Sequence, residues 1–314
     1  MRRGRTVAAA GAVATVVLVA GCGLLSENSG DEAAPVPAPS LEGSPLPSPP
    51  GSTPPAQPAE PIAAAEPRTL TDERIDELSG LAASRLHPGV LFAINDSGGG
   101  PVVYAVGPAG DTVAALTLAG LQARDWEALA PGVDPDGTPV LWIGDIGDNR
   151  ADQPSVRLVK IDEPASLVDQ DVSYEVYPVR YPDGSHDAEA LLVDPRDQTI
   201  SIATKGAGAP GGLYTLDGAP TAAEINVLRR SQAVPSSVTD GAWELSAAAE
   251  PRLVLTDYLR LHRLEGAEWV SELAPLQLQR EALAWPWLPG REDNDTVWLG
   301  SEGVRSRIIT AEVP

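Results

Sequence analysis

Five copies of one short pattern, an acidic residue leading into a small apolar strand, recur after residue 70. They read Glu77-Leu78-Ser79-Gly80-Leu81, Asp125-Trp126-Glu127-Ala128-Leu129, Asp187-Ala188-Glu189-Ala190-Leu191, Thr239-Asp240-Gly241-Ala242-Trp243 and Arg280-Glu281-Ala282-Leu283-Ala284. Their separation, roughly 40 to 60 residues, is the repeat length of propeller blades. A repeat of this length cannot bury its apolar face alone, so successive copies must pack on one another. Symmetry then carries an acid fixed at one point of the unit to one place in the fold.

Apolar runs of four to eight residues, broken by Gly, Pro, Asp and Asn, fill the chain around these copies and read as all-β. They group in fours: Ser79–Ser84, Val90–Asn95, Val102–Val106 and Thr112–Leu118; Glu127–Val133, Val140–Gly144, Val156–Ile161 and Ser173–Tyr181; Glu189–Asp194, Thr199–Thr204, Leu213–Leu216 and Ile225–Arg229; Gly241–Ser246, Leu253–Thr256, Leu261–Leu264 and Trp269–Leu273. The fifth group, Glu281–Trp287, Thr296–Gly300 and Arg307–Val313, is one strand short, and the extended segment Pro67–Asp72 is the candidate to complete it. Such a pairing closes the ring and leaves no exposed sheet edge. The expectation is a five-bladed β-propeller. Six blades would require one group to split, with Gly144 to Asp187 as the place, and a β-sandwich accommodates the strands but not the repeat.

The first 66 residues read as an address and a tether. Arg2, Arg3 and Arg5 precede the short apolar run Val7–Ala20, and Val19-Ala20-Gly21-Cys22 has the form of a bacterial lipobox. Residues 1–21 are thus expected to be a lipoprotein signal peptide, with Cys22, the single cysteine, lipidated and holding the protein to the extracytoplasmic face of the cell membrane. Residues 22–66 carry eleven prolines between Pro35 and Pro61 and are expected to be a disordered linker, leaving residues 67–314 as the propeller. With one cysteine there is no intramolecular disulfide, so an apolar core must supply the stability. Three of the 22 basic residues lie in the leader, and 44 acidic residues face the remainder. That balance excludes nucleic acid and anionic lipid surfaces as partners, and it suits cations held at acidic sites. The Ala, Val, Leu, Arg and Pro bias is that of a high-GC, actinobacterial-type composition.

In a propeller the first strand of each blade lines the central channel, and the end of the second strand returns to the face where the first began. Glu77, Asp125, Glu127, Asp187, Glu189, Asp240 and Glu281 should therefore ring one mouth. The second-strand ends Asn95-Asp96, Asp145, Thr204-Lys205, Thr256-Asp257 and Ser301-Glu302 arrive beside them. Crowded carboxylates either keep protons or gather cations, and hard cations such as Ca²⁺ take six to eight oxygen ligands. Asp125, Glu127, Asp145, Asp148, Asn149, Asp187, Glu189 and Asp240 are the candidate metal ligands, the densest local cluster being Gly144 to Asp152. Asp96, Glu127, Asp145, Glu189, Lys205, Asp257, Glu281 and Glu302 are the candidate ligand-binding residues. The alternative for each acid is a fastener that caps backbone N–H groups of the neighbouring blade. No serine-hydrolase elbow, phosphate-binding loop or His-Glu-x-x-His motif is present. Of the three histidines only His186 adjoins the expected mouth, as a candidate acid or base.

Asp125-Trp126-Glu127-Ala128-Leu129-Ala130, followed by Leu141-Trp142-Ile143-Gly144-Asp145-Ile146-Gly147-Asp148-Asn149 and by Glu163-Pro164, resembles a group of secreted bacterial propeller proteins with an Asp-Trp-Glu strand and a Gly-Asp-x-Gly-Asp-Asn strand end. The similarity continues through Ala203-Thr204-Lys205 and Ser301-Glu302-Gly303. This group is itself similar to phytase-like and esterase-like propellers, and more distantly to WD40-like and lactonase-type ones. The resemblance implies the fold, and function only weakly, because propellers host unrelated activities. Three functions are in play: a surface lipoprotein binding a small-molecule or protein ligand at an acidic, cation-loaded mouth; a Ca²⁺-dependent hydrolase of phosphoesters or lactones; and a structural envelope scaffold.

Overall fold

The computed structural model describes residues 66–206, 208–245, 250–287 and 295–314. The expected signal peptide, Cys22 and the proline-rich linker lie outside these residues. A short strand β1 (Arg68–Thr69) opens the described chain. Blade one is β2 (Leu78–Ala83), β3 (Leu91–Asn95), β4 (Val102–Val106) and β5 (Thr112–Thr117). Blade two is β6 (Trp126–Val133), β7 (Pro139–Asp145) and β8 (Val156–Asp162), then, after a two-residue strand β9 (Gln170–Asp171), β10 (Glu175–Arg180). Blade three is β11 (Ala188–Val193), β12 (Ile200–Thr204) and β13 (Gly211–Thr215), then, after the short β14 (Asn226–Val227), β15 (Arg229–Val234). Blade four is β16 (Asp240–Trp243), β17 (Leu253–Thr256), β18 (Arg260–Glu265) and β19 (Glu268–Leu273). Blade five is β20 (Arg280–Ala284), β21 (Thr296–Ser301) and β22 (Arg307–Glu312), completed by β1.

The chain is therefore a five-bladed propeller, and its ring closes as the sequence predicts. Arg68 pairs with Ile308 and Thr69 with Arg307, antiparallel, so the N-terminal strand covers the edge of the last blade. Arg68 Nη1 donates to the carbonyls of Gly89 and Gly107, both at 3.0 Å, and its guanidinium lies 5.0 Å from the Trp298 ring. Six blades are not needed: the stretch after Gly144 supplies β8, β9 and β10, and β9 runs parallel to β5 as an added edge of blade one. One strand differs from expectation. Ile225–Arg229 does not form the outer strand of blade three. Asn226 and Val227 instead run parallel to β10 of blade two, while Arg229–Val234 pairs with β13.

Apolar layers between adjacent sheets hold the ring. Phe92, Ile94 and Leu116 meet Trp126, Leu141 and Val159 between blades one and two. Trp142 and Tyr177 face Leu191 and Tyr214 in the next layer, and Leu81, Leu91 and Tyr104 close the circle against Trp298 and Ile308. Burial of each such side chain contributes about 1.5–3 kcal/mol. Gly80 is required in this packing, since a Cβ there would stand 2.8 Å from the backbone nitrogen of Leu129 on the neighbouring inner strand. Lower in the channel the inner strands close on one another. Leu81, Leu129, Leu191, Gly241 and Trp285 leave a cavity of only ≈ 10 Å³, room for about one water. The apolar plug leaves the acidic mouth as a site open on one side.

Candidate functional site at the acidic mouth

The acids reach the mouth through a repeated irregularity. In four of the five inner strands the ladder shifts register across one residue: Ser79, Glu127, Glu189 and Glu281. A bulge leaves one residue unpaired and re-aims its side chain. Asp240 holds the corresponding position in blade four but pairs regularly with Thr256. Second-strand ends then return to first-strand starts: Asp96 N donates to Glu77 O (2.8 Å), Ile146 N to Asp125 O (3.1 Å), Lys205 N to Asp187 O (2.9 Å) and Glu302 N to Gln279 O (3.1 Å). These bonds bring the predicted ring together.

Within the ring the acids have different occupations. Asp240 is fully buried; its Oδ1 accepts from Gly241 N (2.7 Å) and its Oδ2 from Leu283 N (2.6 Å), which ties blade four to blade five. Burial raises its carboxyl well above the ordinary range, and the two N–H groups oppose that rise. Ser79 does the same work between blades one and two, its hydroxyl donating to Trp126 O at 2.7 Å. Asp145 accepts from Asp125 N (2.9 Å) and is paired with Arg157 and Arg124. Asp148 accepts from Asp152 N (3.0 Å) and Gln153 N (2.8 Å), and Asp187 accepts from Asp148 N (2.9 Å). Asp257 accepts from Leu259 N and Arg260 N, each at 2.7 Å, and meets His262. Protein donors thus hold Asp145, Asp148, Asp240 and Asp257. Asn149 is exposed on the loop between two open pockets.

A different set converges at the mouth, where Asp96 Oδ1 also accepts from Ser97 N. Asp96, Asp125 and Glu127 each offer a carboxylate oxygen, and these atoms lie within 4.8 Å of one another. Glu127 is only 6% exposed, and no donor among the described residues is hydrogen-bonded to it. Burial, then the charges of Glu189, Asp96 and Asp125, push its carboxyl up to about 11. Burial and Asp96 push Asp125 up to about 7. Gly147 makes the approach possible: a Cβ there would stand 2.5 Å from oxygens of both Asp125 and Glu127. The sequence placed Asp96 among the ligand-binding residues and outside the metal set. Its signal is the polar, glycine-rich Asp96-Ser97-Gly98-Gly99-Gly100 after a second strand.

Blades three to five supply a second group. Lys205 Nζ donates to Glu189 Oε1 at 2.7 Å and lies 6.0 Å from the ring of Tyr258, whose hydroxyl donates to Glu281 Oε1 at 2.9 Å. Burial raises Glu189 to about 8 against the opposing pull of Lys205, and raises Glu281 to about 7 against the Tyr258 hydrogen bond. Glu302 accepts from Gln279 Nε2 at 2.7 Å. Tyr258 had no signal in the repeat beyond following Asp257. His186 stands at the rim between blades two and three, its Nε2 2.9 Å from Asp183 Oδ1 and 3.0 Å from the Tyr214 hydroxyl. It borders a 370 Å³ pocket with Ser185, Asp187, Lys205 and Ser237.

No protein family's sequence pattern matches the chain, and no curated protein matches it. Solved structures do. A gluconolactonase from Xanthomonas campestris is 13% identical, with 83% of this chain and 99% of that one covered at a TM-score of 0.38. A soluble aldose sugar dehydrogenase from Escherichia coli, in its apo form, is 8% identical over 78% of this chain and 98% of that one, with a TM-score of 0.40. A glucose dehydrogenase is 10% identical with the same coverage and a TM-score of 0.43.

Proposed function

We propose that the mouth holds a divalent cation between Asp96, Asp125 and Glu127, and that the domain captures its ligand there. The supporting observation is Glu127: a residue only 6% exposed, to whose carboxylate no donor among the described residues is hydrogen-bonded, set against two more carboxylates by a glycine whose missing side chain makes the space. The donor set is all oxygen, which suits Ca²⁺, with backbone carbonyls and water completing the shell. Calorimetric titration with Ca²⁺, Mg²⁺ and Mn²⁺ tests this. One of the three should bind, and Glu127→Gln should weaken that binding at least tenfold. Absence of binding by all three would overturn the reading.

Glu281 supports a second, hydrolytic reading. Its carboxyl, held near neutrality, exchanges protons at physiological pH beside the cation cluster. A bound cation supplies Lewis acidity toward a carbonyl or phosphoryl oxygen. The chain's own contribution is proton transfer at the Glu281 carboxyl, oriented by Tyr258. The mouth's surplus of carboxylates repels an anionic phosphoester and tolerates a neutral lactone. Turnover of a lactone panel that Glu281→Gln abolishes while cation affinity persists would establish it; no turnover leaves capture as the function. We also propose that lipidated Cys22 and the linker hold the domain at the outer face of the membrane. Cys22→Ala should release it to the medium, and retention on the cell would refute the anchor.

A further inference from the structure

The departure of blade three from the repeat builds a cavity. After β13 the chain crosses to blade two, lays Asn226 and Val227 along β10, and returns as β15. This excursion borders a cavity of ≈ 710 Å³. Trp142 of β7, Lys160 of β8 and Tyr177 of β10 line it from blade two, and Gly218, Ala219 and Pro220 line it from the crossing. The turns from first to second strand in blades two and three, carrying Asp134 and Gln198, complete it and place it on the face opposite the mouth. Both sides are fixed in position. Asn226 Nδ2 donates to Pro178 O (2.9 Å) and Thr221 O (2.8 Å), and its Oδ1 accepts from Thr221 N (2.9 Å), which clamps the crossing to blade two. Gln198, held at a φ of 61°, accepts at Oε1 from Val133 N (2.7 Å) and ties the blade-three turn to the end of β6. A preformed cavity of this size lies within the range of small-molecule sites, about 300–1,000 Å³.

The lining selects an uncharged, hydroxyl-rich ligand. Lys160 Nζ lies 2.8 Å from Asp134 Oδ2, 3.0 Å from Glu175 Oε2 and 5.9 Å from the Trp142 ring. Asp197, whose Oδ1 accepts from Thr199 N (3.0 Å), adds a further carboxylate. An anion meets this surplus of negative charge, and a cation meets an ammonium already seated between the indole and two acids. The nearby Arg196 and Arg229 are themselves paired, with Asp194 (2.5 Å) and Asp217 (3.2 Å). What is left is hydrogen-bonding capacity beside apolar surface. Trp142 is only 7% exposed, and its Nε1 has no acceptor among the described residues. An indole N–H only donates and a carboxylate only accepts, whereas a hydroxyl does both. Val133, Pro195, Ile200 and Pro220 offer surface for C–H groups. We propose that this cavity binds a neutral saccharide, one hydroxyl accepting from Trp142 Nε1 and others donating to Asp134 and Asp197. The site lies away from the mouth and does not depend on the cation reading.

The test uses the full chain with ¹⁵N-labelled tryptophan, titrated in EDTA with cellobiose, maltose and diacetylchitobiose. The indole signal of Trp142 is assigned by its absence from Trp142→Phe. At least one disaccharide should shift that signal saturably. Ala219 is exposed on the crossing, so Ala219→Trp should fill the cavity and weaken binding at least tenfold with the melting temperature unchanged. Trp142→Phe, followed by calorimetry, should weaken it at least threefold through loss of the donor. The same disaccharide oxidised to its uronic acid should bind at least tenfold less tightly. No saturable shift with any of the three, undiminished binding by Ala219→Trp, or equal binding of the oxidised sugar overturns the proposal. A shift produced instead by a proline-rich peptide, and abolished by Ala219→Trp, would overturn it in favour of a protein partner.

Discussion

At the scale of single residues, the acids that recur at one position do two different jobs, and their hydrogen bonds separate them. Asp240 and Glu127 occupy the same place in their repeats. Asp240 accepts two backbone N–H groups and joins adjacent blades, whereas Glu127 accepts none among the described residues. Asp240→Ala leaves the buried N–H groups of Gly241 and Leu283 without acceptors, at a cost of about 1–3 kcal/mol in urea denaturation. Its cation affinity should match that of the unmodified protein. Glu127→Gln should have the opposite profile. With its carboxyl raised to about 11, Glu127 is protonated at neutral pH when no cation is bound, so the amide is a close substitute and stability barely moves. Loss of stability in Glu127→Gln, or loss of cation binding in Asp240→Ala, would break this division. The sequence could place both residues at the mouth, because the repeat fixes position. Partners come from the neighbouring blade, and a repeat read along the chain does not show which backbone N–H groups that blade leaves unpaired.

Among elements, the inner strands were the most legible, since they are apolar on both faces and keep the same acidic head. Blade three's outer strand was the least. Arg229–Val234 reads Arg-Arg-Ser-Gln-Ala-Val and is mostly exposed, so it carries no hydrophobic period, while Ile225 and Val227 present one and yet remain about half exposed. An outer strand packs on one side at most and is placed by its ladder rather than by burial. The closure strand was legible for a topological reason: one blade was a strand short, and an extended segment stood at the other end of the chain. β1 is two residues long, so its hold depends on Arg68, which reaches two carbonyls of blade one and lies over Trp298 of blade five. Arg68→Ala should cost about 1–3 kcal/mol by freeing those carbonyls. An unchanged denaturation midpoint would mean that Leu70 and Ile75, both fully buried, hold the closure alone.

For the whole molecule, closing a ring of five acid-headed blades concentrates charge where the inner strands converge, above an apolar plug that leaves a cavity of only ≈ 10 Å³. Asp125, Glu189 and Glu281 therefore have folded-state pKa values of about 7, 8 and 7, above the ordinary carboxylate range. A carboxyl that holds its proton more tightly in the folded state favours folding most below its unfolded pKa, near 4. That contribution is lost as pH rises toward the folded value. In EDTA the melting temperature should thus fall between about pH 4.5 and pH 8. Asp72, lowered to about 2 by its hydrogen bonds with Arg74, loses its contribution below that window and does not mask the trend. General repulsion in a chain of net charge −22 has the same sign, so the decisive comparison is with Asp125→Asn and Glu281→Gln. Both variants should flatten the decline, as repulsion spread over the whole surface would not. A divalent cation competes with protons for Asp96, Asp125 and Glu127, so saturating Ca²⁺ should raise the melting temperature more at pH 8 than at pH 5. A decline that neither variant changes, or a Ca²⁺ effect that does not grow with pH, would show that the converging acids set neither the stability nor the binding of this ring.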